Sequence, residues 1–184
     1  MDKEYLLHER PLKALFFFAC PMIIGNLFQQ FYTMIDSVVV GRYVSEQALA
    51  AIGASYSFTN VFICVAIGGG IGASVITSRY FGAREYTRMK RSIFTALLSF
   101  LVVSVILACL GLLFGRQIMV ALKTPDEILD MASTYLNIYF YGLPFLFMYN
   151  VLSSMFNALG RSRIPLYLLM FSSILNIILD IYSV

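Results

Sequence analysis

Two carboxylates in this chain sit where a carboxylate is expensive. Asp36 lies in Tyr32-Thr33-Met34-Ile35-Asp36-Ser37-Val38-Val39-Val40 and Asp180 in Leu175-Asn176-Ile177-Ile178-Leu179-Asp180, and each is embedded in a long apolar run. An acidic group at membrane depth is costly and by default marks an ion or proton pathway. Two such groups close together in a low-dielectric bundle do not both stay charged without a cation or proton between them. Tyr32 stands one helical turn before Asp36, and Asn176 one turn before Asp180, so each carboxylate shares a helix face with a polar neighbour. Asn26, Gln29, Gln30, Thr33, Asp36 and Ser37 recur at helical spacing as a polar stripe. In lipid such a face must point into protein or a water-filled cavity. Asn150, Ser153, Ser154 and Asn157 repeat the pattern further along, where cavity lining and plain interhelical hydrogen bonding account for it equally well. The competing account of Asp36 and Asp180 is a position near a helix end, with the carboxylate reaching headgroups or water.

The elements that must position these groups are long and apolar. Of the 184 residues 60% are hydrophobic and 12% charged, half the charge of an ordinary globular domain at about 25%. Between Val44 and Arg79 the sole charged residue is Glu46, and from Ser92 to Gly115 there is none. Five segments follow, about Leu12–Val40, Ala48–Ser78, Ser92–Gly115, Met131–Leu159 and Ile164 to the end. Apolar runs of about 20 residues are bilayer spans, and in lipid they must be helical because an open strand leaves its backbone groups unpaired. The expectation is an all-α integral membrane protein with about five transmembrane helices. Several segments exceed a simple span and should tilt, kink or project. The first is too long for a signal h-region and is followed by no small-residue cleavage site.

Basic residues set the orientation. Ten of them, Lys3, Arg10, Lys13, Arg79, Arg84, Arg88, Lys90, Arg91, Arg161 and Arg163, fall on one side of such a five-span chain, against Arg42, Arg116 and Lys123 on the other. That bias places the N-terminus in the cytoplasm of a multi-pass protein of the cell membrane. Segments one and five then run the same way, and Asp36 and Asp180 both fall in the outer half, where they can meet. The Arg79–Arg91 cluster reads as a topology signal rather than a nucleic-acid contact. Cys20, Cys64 and Cys109 lie in different apolar runs and suit buried thiols better than a disulfide or metal site. Gly68-Gly69-Gly70-Ile71-Gly72-Ala73-Ser74 loosely matches a dinucleotide glycine pattern, but no strand precedes it; close helix packing is the better account. Pro21 and Pro144 remove helix hydrogen bonds and should bend segments one and four. The last segment stops at Val184 without a polar flank, which suggests a truncated chain.

The order Pro21, Gly25-Asn26, Gln29, Tyr32, Asp36-Ser37, Val40-Gly41-Arg42 resembles the first helix and loop of the MATE (multidrug and toxic compound extrusion) transporters. So do Ala48-Leu49-Ala50-Ala51-Ile52-Gly53, Arg79-Tyr80-Phe81-Gly82-Ala83-Arg84-Glu85, Asn157-Ala158-Leu159-Gly160-Arg161 and Leu175 to Asp180, in register along nearly the whole chain. The resemblance implies twelve helices in two six-helix lobes, exporting drugs or metabolites against inward H⁺ or Na⁺. Residues 1–184 would supply the N-terminal lobe without its sixth helix, leaving a missing second lobe as partner. It implies a cation-coupling site at Asp36, Asn176 and Asp180, joined in some members by Tyr32, with Pro21 at the bend of the first helix. Na⁺ at Asp36, Asn176 and Asp180 would be the only metal, H⁺ or Na⁺ the coupling ion, and no cofactor is implied. Asn26, Gln29, Gln30, Thr33, Asn150 and Asn157 would line the cavity for small organic, cationic substrates. The implied partners are the lipid bilayer and those substrates, with no nucleic acid.

Three other functions compete. A lipid-linked oligosaccharide flippase of the same superfamily would need a more basic cavity, and no basic residue lies deep in these segments. An intramembrane aspartyl protease also uses two aspartates, but Asp36 follows Ile35 and Asp180 follows Ile178-Leu179, so the Tyr-Asp and Gly-x-Gly-Asp patterns are missing and no enzyme is expected. An inactive truncated fragment is the third.

Overall fold

The computed structural model describes residues 11–183, with side chains described for 16 and 19–179. Every apolar run forms a helix: α1 Pro11–Val39, α2 Glu46–Gly82, α3 Tyr86–Ala121, α4 Asp126–Ala158 and α5 Arg163–Ser183. α2 and α3, at 37 and 36 residues, have apolar windows of mean hydropathy 2.0 and 2.9, long enough to cross a bilayer. At about 1.5 Å per residue each is about 55 Å long, so both extend past the hydrocarbon, α3 at both ends of the expected Ser92–Gly115 run. α1 and α4 run on as helices through Pro21 and Pro144.

Local chemistry fixes the ends. α1 passes into a π-helical turn, Val40–Val44, in which the Ser45 N–H donates to the Val40 carbonyl at 3.3 Å. Ser45 then caps α2, its hydroxyl accepting from the Ala48 N–H at 3.0 Å. Asp126 and Glu127 occupy the first turn of α4, where the helix dipole favours negative charge. α2, α3 and α4 all close through a left-handed residue, Arg84 (φ 60), Lys123 (φ 57) and Gly160 (φ 71). In each, the next N–H reaches back to a carbonyl of the last turn: Glu85 to Tyr80 at 3.0 Å, Thr124 to Met119 at 3.2 Å, Arg161 to Phe156 at 2.9 Å.

α4 is the central helix. Its buried face, Leu129, Ala132, Leu136, Phe140, Leu143, Phe147, Val151 and Met155, repeats every three or four residues and packs on both α2 and α3. The facing helices answer with small side chains, Ser55, Thr59, Ala66 and Gly70 on α2 and Ser104, Ala108, Gly111 and Gly115 on α3. Small residues let helix axes approach where hydrocarbon offers no hydrophobic driving force between helices. A Cβ on Gly111 would collide with the Phe140 ring and one on Gly69 with the Phe100 ring; at Gly70 it would meet the Ser154 Oγ at 2.7 Å. The glycine run therefore serves packing at Gly69 and Gly70, whereas Gly68 and Gly72 face open space. Phe140 also meets Phe58 and Phe62 edge-on, at centroid distances of 6.1 and 5.4 Å. α1 stands apart from this bundle and packs along α5, which touches α4 more lightly.

The thiols depart from expectation. Cys64 and Cys109 are exposed and Cys20 is half-buried. The inward seams of α2 and α3 are occupied by smaller residues that allow close approach, so these two cysteines fall on outward faces, where a thiol acts as one more apolar group.

Candidate cation-binding site

α1 and α5 are parallel and in register. Gly25 faces Leu166 and Leu169, with an added Cβ only 3.5 and 3.7 Å from their side chains. One to two turns further along both helices, Gln29 and Tyr32 of α1 and Leu169, Ser172, Ser173 and Asn176 of α5 enclose a cavity of about 160 Å³. Residue numbers thus rise together along the pair. Continuing the register by one turn carries α1 to Asp36 and α5 to Asp180. Asp180 lies on α5, and its side chain is outside the described residues. The backbone alone therefore places the two aspartates at the same level.

Asn176 is the residue whose chemistry is unfinished. Its Oδ1 is buried and has no hydrogen-bond partner among the described residues. A buried amide oxygen without a donor loses its hydration and gains nothing in return, so such an atom has room for a hydrogen-bond donor or a cation. Ser173 is buried beside it, 7% exposed, and the Ser172 hydroxyl donates to the Leu169 carbonyl at 3.1 Å. Asp36 is half-buried and acts electrostatically on Tyr135 of α4. Sequence reasoning passed over Tyr135; the available signal was its place two turns into α4, at the depth of Asp36.

The polar stripe of α1 divides into two faces. Gly25, Gln29, Tyr32 and Asp36 form the face turned to α5. Asn26, Gln30, Thr33 and Ser37 lie about a quarter turn away; the first three are exposed and Ser37 is half-buried. On that second face the Thr33 and Ser37 hydroxyls bond back to the Gln29 and Thr33 carbonyls, at 2.9 and 2.8 Å. Asn150 and Asn157 are not brought to the α1–α5 cavity. The Asn150 amide donates to the Leu146 carbonyl at 2.8 Å, and its backbone carbonyl packs over Gly70. The Asn157 Oδ1 is buried without a partner among the described residues. α2 and α4 are also joined by the Thr77 hydroxyl on the Met155 sulfur at 3.2 Å and the Tyr139 hydroxyl on the Thr59 carbonyl at 3.3 Å.

Long apolar helices in a bundle, with a polar cavity held between two parallel ones, define the class of integral membrane helix bundles. The chain belongs to the MatE family, whose model matches residues 21–182. It is 32% identical over 91% of its length to the "Probable multidrug resistance protein YpnP" of Bacillus subtilis, covering 38% of that protein. It is 28% identical over 97% of its length to the multidrug export protein MepA of Staphylococcus aureus, covering 40% of it. Among solved structures, a MOP superfamily transporter from Pyrococcus furiosus superposes with a TM-score of 0.89 at 24% identity, over 98% of this chain and 40% of that one. A MATE transporter in the bent conformation gives 0.87 at the same identity. The fold is that of a MATE N-terminal lobe, and these relatives are transporters rather than enzymes. The chain spans about two-fifths of the length of the relatives it matches.

Proposed function

We propose that this chain forms the first lobe of a cation-coupled antiporter that exports drugs or other small organic cations. In this reading it crosses the cell membrane five times from a cytoplasmic N-terminus and works with a second lobe. H⁺ or inward Na⁺ is the coupling ion, and Asp36, Tyr32, Asn176 and Asp180 are its site. The observation that carries the proposal is the buried Asn176 Oδ1, without a partner among the described residues, in the α1–α5 cavity that Gln29 and Tyr32 also line. Oxygen donors on two parallel helices suit a hard cation, and a proton on either carboxylate would answer the same vacancy in hydrogen bonding. Loading draws α1 and α5 together, and Pro21, which lacks a backbone N–H, gives α1 a place to yield. The second face of α1, from Asn26 to Ser37, is the surface offered to substrate in the cleft between lobes. The relatives' names as multidrug resistance and export proteins agree with this reading.

The test is efflux by a two-lobed transporter carrying this chain as its first lobe, under an imposed H⁺ or Na⁺ gradient. Asp36→Asn and Asp180→Asn should each lose gradient-driven efflux while folding and inserting normally. Parental rates in both variants would remove these carboxylates from the coupling site.

A further inference from the structure

The Arg79–Arg91 cluster has no part in the transport reading beyond topology, yet two of its members, Arg88 and Arg91, line a described cavity. It is an open groove of about 570 Å³ between α2 and α3. Arg88 and Arg91 of α3 line its mouth, Ser92, Thr95 and Ser99 follow along the same helix face, and Ile76 and Phe100 form its apolar inner end. Phe100 seats its ring against Gly69 of α2, where a Cβ would collide with it, and so closes the groove. From Arg88 to Ser99 the face is about 16 Å long at 1.5 Å per residue, enough for a headgroup, a glycerol backbone and the first acyl carbons.

The groove is graded from charge, through hydroxyls, to hydrocarbon. Residues 79–91 hold five basic side chains and one acid, Glu85. Glu85 pairs with Arg88 at 3.1 Å on an exposed surface, where an ion pair is weak and easily exchanged. Arg91 makes no ion pair, and the Ser92, Thr95 and Ser99 hydroxyls make no hydrogen bond, among the described residues. A soluble anion would use the mouth and leave the apolar end empty; a neutral lipid would leave the guanidinium groups unanswered. We propose that this groove binds an anionic phospholipid of the adjacent leaflet. The phosphate sits between Arg88 and Arg91, the glycerol oxygens lie on Ser92 and Thr95, and one acyl chain runs to Phe100. Basic pockets between helices at the cytoplasmic interface recognise headgroups by this chemistry.

Native mass spectrometry of the chain, released from detergent with equal amounts of phosphatidylglycerol and phosphatidylcholine of matched acyl chains, tests this. Phosphatidylglycerol should be retained about tenfold over phosphatidylcholine, and Arg88→Gln with Arg91→Gln should bring the two to near parity. Ser99→Phe, which fills the apolar end and keeps every charge, should lower phosphatidylglycerol retention. Arg116→Gln, at the far end of α3, should change nothing. Equal retention of the two lipids by the parent chain would overturn the proposal, as would an undiminished preference in the double variant. Displacement of the lipid by millimolar inorganic phosphate would assign the mouth to a soluble anion instead. These readouts are independent of transport, so failure here leaves the coupling site standing, and the reverse.

Discussion

At the scale of single residues, Asn176 shows how a site can work against the stability of its own fold. Its buried Oδ1 lacks a partner among the described residues, and leaving a buried acceptor unpaired costs about 1–3 kcal/mol. An apolar residue of similar shape removes that cost together with the proposed cation ligand. Asn176→Leu should therefore raise the resistance of the chain to denaturant by about 1 kcal/mol and abolish any stabilisation by Na⁺ or acid. A ligand that binds only the folded state stabilises it by mass action, so unfolding curves of parent and variant across a Na⁺ series read both effects. An Asn176→Leu chain that is less stable than the parent, or that keeps its Na⁺ response, would show that the amide serves packing. Asp36, Asn176 and Tyr32 stand out in the sequence because a polar atom in an apolar run is conspicuous, and Tyr32 and Asn176 do line one cavity. Tyr135 was not: one tyrosine among twelve carries no mark of the carboxylate that reaches it through space. Asn150 and Asn157 showed the converse, polar and conspicuous, yet placed outside the α1–α5 cavity.

At the scale of elements, the apolar runs give the number and order of the helices, since charge and hydrocarbon exclude one another over about 20 residues, while α3 runs past both ends of its apolar run and α4 past the start of its own. Pairing was harder to read. Lipid-facing and protein-facing surfaces are equally apolar, so periodicity does not say which face of α1 meets α5, and one stripe from Asn26 to Ser37 concealed two faces. The π-helical turn at Val40–Val44 had no signal either, because its residues are those of an ordinary helix end. Helix closures offer a direct test of local strain. Lys123 adopts φ 57 where α3 ends, a conformation that costs an L-residue about 1 kcal/mol or more and glycine almost nothing. Its side chain is exposed, and the nearby ion pair that joins α3 to α4 is Arg116 with Asp130, at 3.1 Å. Lys123→Gly should thus stabilise the chain by about 1 kcal/mol, measured by equilibrium unfolding in detergent. Lys123→Val, β-branched in the same left-handed turn, should destabilise it. A glycine variant weaker than the parent would mean that Lys123 holds the turn through its side chain.

At the scale of the whole molecule, α1 is the least supported helix. α2, α3 and α4 bury one another around Phe140 and Phe147, while α1 rests on α5 and leaves Phe31, Met34 and Val38 exposed. Beside that apolar surface runs the polar face of Asn26, Gln30 and Thr33, so neither lipid nor water suits all of α1. Relatives of the family are about two and a half times as long as this chain, which covers 36–40% of them. Transporters built from repeats move substrate by rocking one repeat against another around a site near the membrane midplane. One repeat alone has the α1–α5 cavity and nothing to rock against. Residues 1–184 expressed alone in a drug-sensitive host should therefore insert in the membrane without raising drug tolerance. The measurement is growth across a series of cationic drugs, with membrane insertion checked in parallel so that silence is not mistaken for absence. Tolerance that appears with the parent chain and disappears with Asp36→Asn would overturn this, and would make the α1–α5 pair a transport unit in its own right, completed by copies of itself.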